Sequence, residues 1–519
     1  MAHKCEANFE TQQTSASIAE FNSKPIKLSD IEKDNSLPHS LRVVIQCAAL
    51  ISADLLAYIL AAVSGTLVIR SQGQQFISLN TTNELTYSQI TLFAVFAVLW
   101  LGWFGVVKQV YTRRKPFWTD LKQIFTGVLV FALLNAALSG LSTQGFSKNC
   151  WFVSWFTLLF LIPIARQTSR LLLRRFNLWN IPTLIFGTGD NAKEAYLALE
   201  SEPAMGFDVK AFVVLSTGTD SYEDHHQRSP VAGKPMVVIA QHPLDLSLLL
   251  PYHCVIALEA HERDLRDTAI KLFNRQKIND VHVIPAMRGV PLYGMETTHF
   301  FSHEVLLIQL RNNLANPIHR LSKRVFDLLG STVLLLLLSP LFAVLAYMVA
   351  KDGGKPIFGH VRVGQNNKHF KCYKFRSMVV NAGEVLERLL ASDPIARAEW
   401  VQDFKLKSDP RVSKLGAFLR SSSLDELPQL YNVFKGEMSL VGPRPVIPVE
   451  LERYGEDVGY YLTAKPGMTG LWQVSGRNDV DYATRVYLDS WYVKNWSLWT
   501  DIAILFKTVS VVIRRSGAY

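Results

Sequence analysis

The stretch Lys323–Lys351, KRVFDLLGSTVLLLLLSPLFAVLAYMVAK, decides the fold. From Val325 to Ala350 it is nearly unbroken apolar sequence, long enough to cross a hydrocarbon core about 30 Å thick. Two features argue against crossing. Arg320, Lys323 and Arg324 precede the run and Lys351, Lys355 and Arg362 follow it, so both flanks carry the cations that mark a cytoplasmic surface. Pro340 removes a backbone donor at the midpoint and favours a kink, with Ser339 beside it to re-satisfy freed backbone groups. A helix over about 323–350 that enters the bilayer and returns to the same face explains both features.

Upstream lie four more apolar stretches, near Leu41–Val68, Ile90–Val110, Leu121–Leu141 and Trp151–Ile164, each of roughly spanning length. The loop over 71–88 carries no Lys or Arg, whereas the next carries Lys108, Arg113, Arg114 and Lys115. The third loop has Lys148, and the fourth stretch runs into Arg166, Arg170, Arg174 and Arg175. Alternating loop charge predicts a four-helix transmembrane bundle over 41–176 with both ends cytoplasmic. It also argues against the alternative, four buried helices of a soluble protein. Residues 1–40 are polar and read as a disordered cytoplasmic tail with no cleavable signal peptide.

Composition agrees with a membrane protein: 519 residues, 49% hydrophobic, with a formal charge of +10. That excess suits an anionic lipid surface, and no helix-turn-helix or RNA-binding pattern accompanies it, so nucleic acid is not an expected partner. The five cysteines, Cys5, Cys47, Cys150, Cys254 and Cys372, form no C-x-x-C pair and suggest neither a disulfide framework nor zinc.

Between the bundle and the long apolar run, residues 177–317 read as a Rossmann-like α/β domain. Pro182–Phe186 is an apolar strand that ends at Gly187-Thr188-Gly189-Asp190-Asn191-Ala192, followed by a helical pattern. Further strands fit Phe207–Leu215, Met236–Ile239 and Cys254–Leu258. The second strand ends Val213-Val214-Leu215-Ser216, without the carboxylate that grips ribose in a dinucleotide site. A scaffold or regulatory role is therefore expected over a nucleotide site. Asn316-Pro317 marks the start of the last domain, 318–519. Near its end, Trp491, Tyr492, Trp496 and Trp499 stand beside an apolar helix with Lys494, Lys507, Arg514 and Arg515. This reads as a helix in the membrane interface, with a core role for the aromatics as the alternative.

Chemistry is concentrated in Ser423-Leu424-Asp425-Glu426-Leu427-Pro428-Gln429-Leu430. Two adjacent carboxylates open what reads as a short helix, Arg420 precedes them, and Val441-Gly442-Pro443-Arg444-Pro445 follows. Adjacent acids with nearby arginines suit phosphoryl transfer: one carboxylate attacks or binds a metal, and the cations hold phosphate oxygens. Ser423 and Glu426 also have capping-box spacing, so a helix cap is the plain alternative. Lys374 and Arg376 are further phosphate-binding candidates, with a basic strand at a membrane surface as their alternative. Gly436 and Gly442 are expected to serve tight turns.

The ordered set Lys374-Phe375-Arg376-Ser377-Met378, Asp409-Pro410-Arg411, Gly416, Leu419-Arg420, Asp425-Glu426-Leu427-Pro428-Gln429, Asn432-Val433, Gly436-Glu437-Met438-Ser439, Gly442-Pro443-Arg444-Pro445 and Lys465-Pro466-Gly467-Met468-Thr469-Gly470 resembles the bacterial sugar transferases. These load a hexose 1-phosphate onto polyprenyl phosphate. The resemblance covers about the last 200 residues, and the front of the chain resembles the long, polytopic members. It implies a monotopic phosphoglycosyl transferase domain with a re-entrant helix kinked at Ser339 and Pro340, in the bacterial inner membrane and facing the cytoplasm. The substrates it implies are a UDP-hexose, galactose foremost and glucose as runner-up, and undecaprenyl phosphate, at the first step of a surface polysaccharide. By the same resemblance Asp425 is the nucleophile and Glu426 the magnesium ligand. Arg420 and Arg444 grip phosphate, and Arg477 lies close enough behind the 465–470 loop to contact the nucleotide. A homodimer is left open.

Two rival readings are weaker. Membrane nucleotide-sugar dehydratases need a long glycine turn, which is absent, and a Tyr-x-x-x-Lys pair. Tyr461 and Lys465 have that spacing but lie outside the Rossmann-like region. A non-catalytic membrane scaffold for polysaccharide assembly is opposed by the intact Asp425, Glu426, Arg420 and Arg444.

Overall fold

A computed structural model describes residues 39–76, 79–141, 147–216, 234–240, 252–275, 281–287, 290, 295–300, 303–309, 313–351, 353–393, 397, 409–475 and 481–514. Arg477 and the proposed tail lie outside the described residues. The chain divides into two compact units, 1–286 and 287–519.

The first unit opens with four long helices: α1 (His39–Phe76), α2 (Leu79–Gly102), α3 (Phe117–Leu141) and α4 (Lys148–Arg175). All four contain segments long and apolar enough to cross a membrane. Their shared core is aromatic, with Trp100, Phe104, Phe96 and Trp155 buried at the centre. The fourth helix departs from its expected end at Ile164. It continues to Arg175 because Arg166 and Arg170 are buried ion-pair partners inside the bundle, not loop cations. Arg166 reaches Asp54 at 2.6 Å and Asp120 at 3.1 Å, and Arg170 reaches Asp120 at 2.6 Å. Trp100 Nε1 and Tyr111 Oη also donate to Asp54, at 3.0 and 2.7 Å. Two guanidiniums against two carboxylates leave the network neutral, the condition under which charge is tolerated away from water.

The same unit contains β1 (Ile181–Phe186), α5 (Asp190–Ser201), β2 (Phe207–Ser216), β3 (Met236–Ala240), β4 (His253–Ile256), α6 (Arg263–Arg275) and β5 (Val281–Val283). The strands form a parallel sheet in the order β3-β2-β1-β4-β5, with the chain reversing at β1 as in a doubly wound fold. The expected strand–turn–helix is present. Arg114 ties the bundle to this domain by donating to Trp179 O at 2.7 Å, and Arg42 donates to Asn180 O at 3.0 Å.

The second unit begins ahead of the boundary expected at Pro317. Its first strands, β6 (Glu296–Phe300) and β7 (His303–Gln309), pair antiparallel with each other and take no part in the parallel sheet. Next comes α7 (Pro317–Ala350), a continuous helix capped by Asn316, whose side chain accepts from Ile318 N–H. Ser339 Oγ donates to Leu336 O at 2.8 Å, the carbonyl that the missing Pro340 N–H leaves without its usual partner.

Both halves of α7 are fastened to the same body. Near its start, Lys323 Nζ donates to Asp501 Oδ2 at 2.7 Å, and Asp327 accepts from Ser439 Oγ at 2.9 Å. Near its end, Leu345 and Val349 pack with Phe375 and Leu419, and Arg376 donates to Val349 O at 2.8 Å. Between these anchors Val333, Leu336, Leu337 and Val344 are exposed.

The rest of the unit wraps around those anchors. It comprises the ribbon β8 (Ile357–Val363) and β9 (His369–Phe375), α8 (Ala382–Ser392), α9 (Lys414–Ser421) and α10 (Gln429–Lys435). Parallel β10 (Ser439–Val441) and β11 (Gly467–Thr469) follow, with α11 (Pro448–Leu451) and α12 (Val458–Thr463) between them. α13 (Leu471–Val474), α14 (Tyr482–Lys494) and α15 (Leu498–Arg514) close the described chain. Tyr492 and Trp496 are core residues, each 1% exposed, and this corrects the interfacial reading for those two aromatics. They hold the buried Asp501 carboxylate, Tyr492 Oη at 2.6 Å and Trp496 Nε1 at 3.2 Å. The outer face of α15 still exposes Phe506 and Val509.

Candidate active site

Asp425 and Glu426 lie on a short 3-10 turn, Leu424–Glu426, between α9 and α10. Ser423, just before it, has φ 56° and makes no side-chain cap bond. The capping-box reading therefore fails. A serine in the left-handed region costs on the order of 1–3 kcal/mol, strain that persists where the surroundings fix the backbone and that clusters at functional sites. Those surroundings are apolar: Leu424 and Leu427 pack into the cluster made by Leu345, Val349, Phe375 and Leu419. The acid turn thus rests on the C-terminal half of α7.

The end of β9 supplies Lys374, whose Nζ lies 2.6 Å from Glu426 Oε1 and 4.0 Å from Asp425 Oδ2. Burial pulls the Lys374 pKa down, but the neighbouring charges of Glu426 and Asp425 outweigh it and the net direction is up. Asp425 is 8% exposed. Burial, opposed by Lys374 and supported by the Glu426 charge, pushes its carboxyl up to about 6. Arg420, at the end of α9, adds a further stabilising charge to Asp425 and is oriented by Ser377, whose Oγ accepts from Arg420 Nε at 2.9 Å. Gly416 makes that contact feasible, because a Cβ there would meet Ser377 O at 1.8 Å.

Of the other expected residues, Arg376 is turned to the last carbonyls of α7, where a cation suits the helix dipole. It is an anchor of the helix end, not a member of the acid group. Arg444 makes no ion pair with Asp425 or Glu426; its guanidinium lies over Trp472, 5.7 Å from the ring centroid. Gly436 caps α10 with φ 88°, and Gly442 passes so close to Lys465 O that a Cβ would stand 2.4 Å from it. Tyr461 is structural, donating to Val363 O at 2.8 Å and accepting from Val446 N at 3.2 Å.

A magnesium site fits this donor set. The ion keeps most of its waters and is held by one or two carboxylates plus substrate phosphates, so Glu426, half-exposed beside Asp425, has the chemistry to hold it while Asp425 stays free to attack. Among the described residues no three acidic, His or Cys side chains are placed so that they could together hold a metal ion.

In the first unit the glycine turn is closed by the chain itself. Glu259 Oε1 accepts from Asn191 N–H at 2.6 Å, and a Cβ on Gly189 would lie 2.6 Å from the same oxygen. A carboxylate stands where a bound phosphate would meet the helix N-terminus.

An α/β body clasping a long apolar helix, with an acid pair on a strained turn flanked by Lys374 and Arg420, is suited to group transfer at a membrane. The comparisons specify it. A family model described as Bacterial sugar transferase matches residues 318–515, and one described as CoA-binding domain matches 107–241. A UDP-galactose-lipid carrier transferase of Erwinia amylovora is 50% identical over 431 residues, 83% of this chain and 89% of the relative. An undecaprenyl-phosphate galactose phosphotransferase of Salmonella typhimurium is 49% identical over 451 residues, 87% of this chain and 92% of the relative. A UDP-glucose:undecaprenyl-phosphate glucose-1-phosphate transferase of Klebsiella pneumoniae is 38% identical over 224 residues, 41% of this chain and 45% of the relative. The chain belongs to the bacterial sugar transferase family and is a phosphoglycosyl transferase.

Proposed function

We propose that this enzyme transfers galactose 1-phosphate from UDP-galactose to undecaprenyl phosphate through an aspartyl intermediate. The observation that carries the mechanism is the buried Asp425 carboxylate beside Lys374 and Arg420, on a turn that rests against α7. An Asp425 oxygen attacks the sugar-bearing phosphorus, the bond to the bridging oxygen breaks, and UMP leaves with the electron pair. The product is an acyl phosphate between Asp425 and the hexose. A phosphate oxygen of the lipid then attacks the same phosphorus, forming the lipid diphosphate-sugar and restoring the carboxylate. Lys374 and Arg420 neutralise charge on the phosphoryl oxygens. Glu426 would hold magnesium, which supplies further charge neutralisation when bound. At neutral pH a group with a pKa near 6 is largely ionised, as a nucleophile requires.

The sugar rests on the long relatives, both named for galactose. Glucose is the alternative, since a glucose enzyme matches 41% of the chain. The reading also places the enzyme in the bacterial inner membrane at the first step of a surface polysaccharide, with four spanning helices ahead of a re-entrant α7. Re-entry is supported by the anchoring of α7. Lys323 and Val349 are 26 residues apart, about 39 Å along a straight helix, longer than a hydrocarbon core of about 30 Å. Attachment of both points to one body is what a helix that returns to its side of entry requires, and it supports that reading over a crossing. The Glu259 carboxylate at the glycine turn supports a scaffold role for the parallel-sheet domain.

The test is incubation of purified protein with UDP-galactose alone. One equivalent of UMP and a hexose-phosphate adduct on the Asp425 peptide are expected. UMP release that strictly requires the lipid, with no adduct, would refute the covalent mechanism.

A further inference from the structure

Strand β9 pairs with β8 along one edge, Gly359 opposite Tyr373 and Val361 opposite Lys371. Among the described residues no strand pairs with its other edge. An open edge presents backbone N–H and C=O groups that a fold must satisfy or cover. Here one side chain does so. Asn432, in the fourth position of α10, accepts from Tyr373 N–H through Oδ1 at 3.0 Å and donates from Nδ2 to Lys371 O at 2.7 Å. A carbonyl and the N–H two residues further on are the groups that a parallel neighbour takes up. The carboxamide thus stands in for one peptide unit of a third strand, opposite Cys372. Nδ2 also donates to Glu437 Oε2 at 2.7 Å. Two of these partners accept and one donates, so only this orientation of the amide serves all three. The residue is 0% exposed.

The two segments joined by this amide are the two that build the acid site. On the strand, Lys374 comes directly after Tyr373, one α-carbon step of about 3.8 Å away. On the other side, α10 follows the acid turn without a break. Leu427 N–H reaches Leu424 O at 3.3 Å, Leu430 N–H reaches Leu427 O at 3.0 Å, and Tyr431 N–H reaches Pro428 O at 3.1 Å. The end of α10 closes on the same residue, since Asn432 O accepts from Gly436 N–H and Glu437 N–H at 3.0 Å each. Apolar packing also joins the segments, with Phe375 against Leu424 and Leu427. Such packing is non-directional and sets no register by itself. Register matters here because a slip of one residue would turn Lys374 to the other face of the ribbon. It would then lose its place 2.6 Å from Glu426 and 4.0 Å from Asp425.

We propose that Asn432 is a positioning residue of the transferase reaction: it locks the register of β9 against the acid turn and so holds Lys374 where phosphate oxygens arrive at Asp425. Asn432 is fully buried and its amide is spent on Tyr373, Lys371 and Glu437, so its influence on the reaction runs through Lys374. Three directional bonds to one planar group fix both the height and the orientation of the strand, which is how a supporting residue keeps a reacting group in place. A misplacement of about 1 Å at a reacting centre costs on the order of a hundredfold in rate. The inference rests on the phosphotransferase reading and on the part of Lys374 in it, but not on the covalent step.

The experiment is a single-turnover assay on the full chain in detergent. Enzyme is in saturating excess over UDP-galactose, polyprenyl phosphate is present, and UMP formation is followed in time. At saturation the rate constant reports the geometry of folded molecules and does not change when part of the protein is lost to unfolding. Asn432→Ala should lower it by about tenfold to a hundredfold. In a Lys374→Met background the same substitution should change it by no more than about twofold, because the group it positions is already gone. A lowered melting temperature with a rate constant within about twofold of wild type makes Asn432 a purely structural clamp and overturns the proposal. An equal loss in both backgrounds also overturns it. Should Asn432→Ala not fold, Asn432→Ser, which keeps a small polar group, carries the same test, and loss of folding in both overturns the proposal as well. Wild-type protein that releases no UMP from either UDP-galactose or UDP-glucose would refute the phosphotransferase reading and this proposal with it. A normal wild-type rate beside an unmoved variant refutes the positioning role alone.

Discussion

Replacing Asp425 by Asn separates catalysis from structure by sign. Burial holds the Asp425 carboxyl near 6, against an ordinary value of 3.8. The folded pKa is raised, so the protonated form is the one the fold favours. Folding carries no penalty from this group below pH about 4, loses stability as pH rises from about 4 to 6, and carries the full penalty above that. A shift of about 2 units corresponds to roughly 3 kcal/mol. Asn keeps the size of the side chain and removes the charge. At pH 8 the variant should be more stable than wild type, by up to about 3 kcal/mol and by less where Asn leaves Lys374 without its partner charge. At pH 4 the two should melt together. UMP release should fall to background at every pH. The assays are thermal melting in detergent at both pH values and UMP release in parallel. A structural cap would give the opposite pattern, a loss of about 0.5–2 kcal/mol with turnover intact. Destabilisation at pH 8 with retained activity would refute the reasoning.

Wild-type turnover should rise as pH passes through about 6 and then level, following ionisation of Asp425; a flat profile between pH 5 and 7 contradicts a nucleophile at that position. Glu426→Gln should cut turnover by at least about tenfold and raise the magnesium concentration giving half-maximal rate. An unchanged magnesium dependence removes Glu426 from the metal site. Cysteine tags placed before Arg320 and after Lys351 should both be labelled only from the cytoplasmic side, and periplasmic labelling of the second would show that α7 spans. Arg166→Met leaves Asp54 and part of Asp120 buried without their partner and should cost about 3–5 kcal/mol in the first unit. An unshifted melt would mean the network is already solvated.

Several features were legible in the sequence because their causes are local. Apolar runs of spanning length declare themselves residue by residue. A strand entering Gly187-Thr188-Gly189 and leaving as a helix is written in contiguous positions, and β1 and α5 follow it. The pairing of Asp425 with Glu426, and the Pro340 break with Ser339 beside it, are likewise neighbours in the chain. Other features depended on residues far apart. Arg166 and Arg170 count as loop cations until Asp54 and Asp120, on other helices, neutralise them. Tyr492 and Trp496 carry the composition of a membrane interface, yet Asp501 and the distant Lys323 make them core. Arg376 and Lys374 are two residues apart and alike in charge; only packing sends one to Val349 and the other to Glu426. The approach of Arg444 and Arg485 to the Trp472 ring had no signal in the sequence, because the three residues come from separate segments of the chain. Sequence determined which segments are apolar, which turn and which carry chemistry, since those follow from each residue's own solvation and backbone preferences. Tertiary structure decided which charges are paired, which aromatics are buried and which cations reach the acids, since an electrostatic environment belongs to neighbours in space and not in the chain.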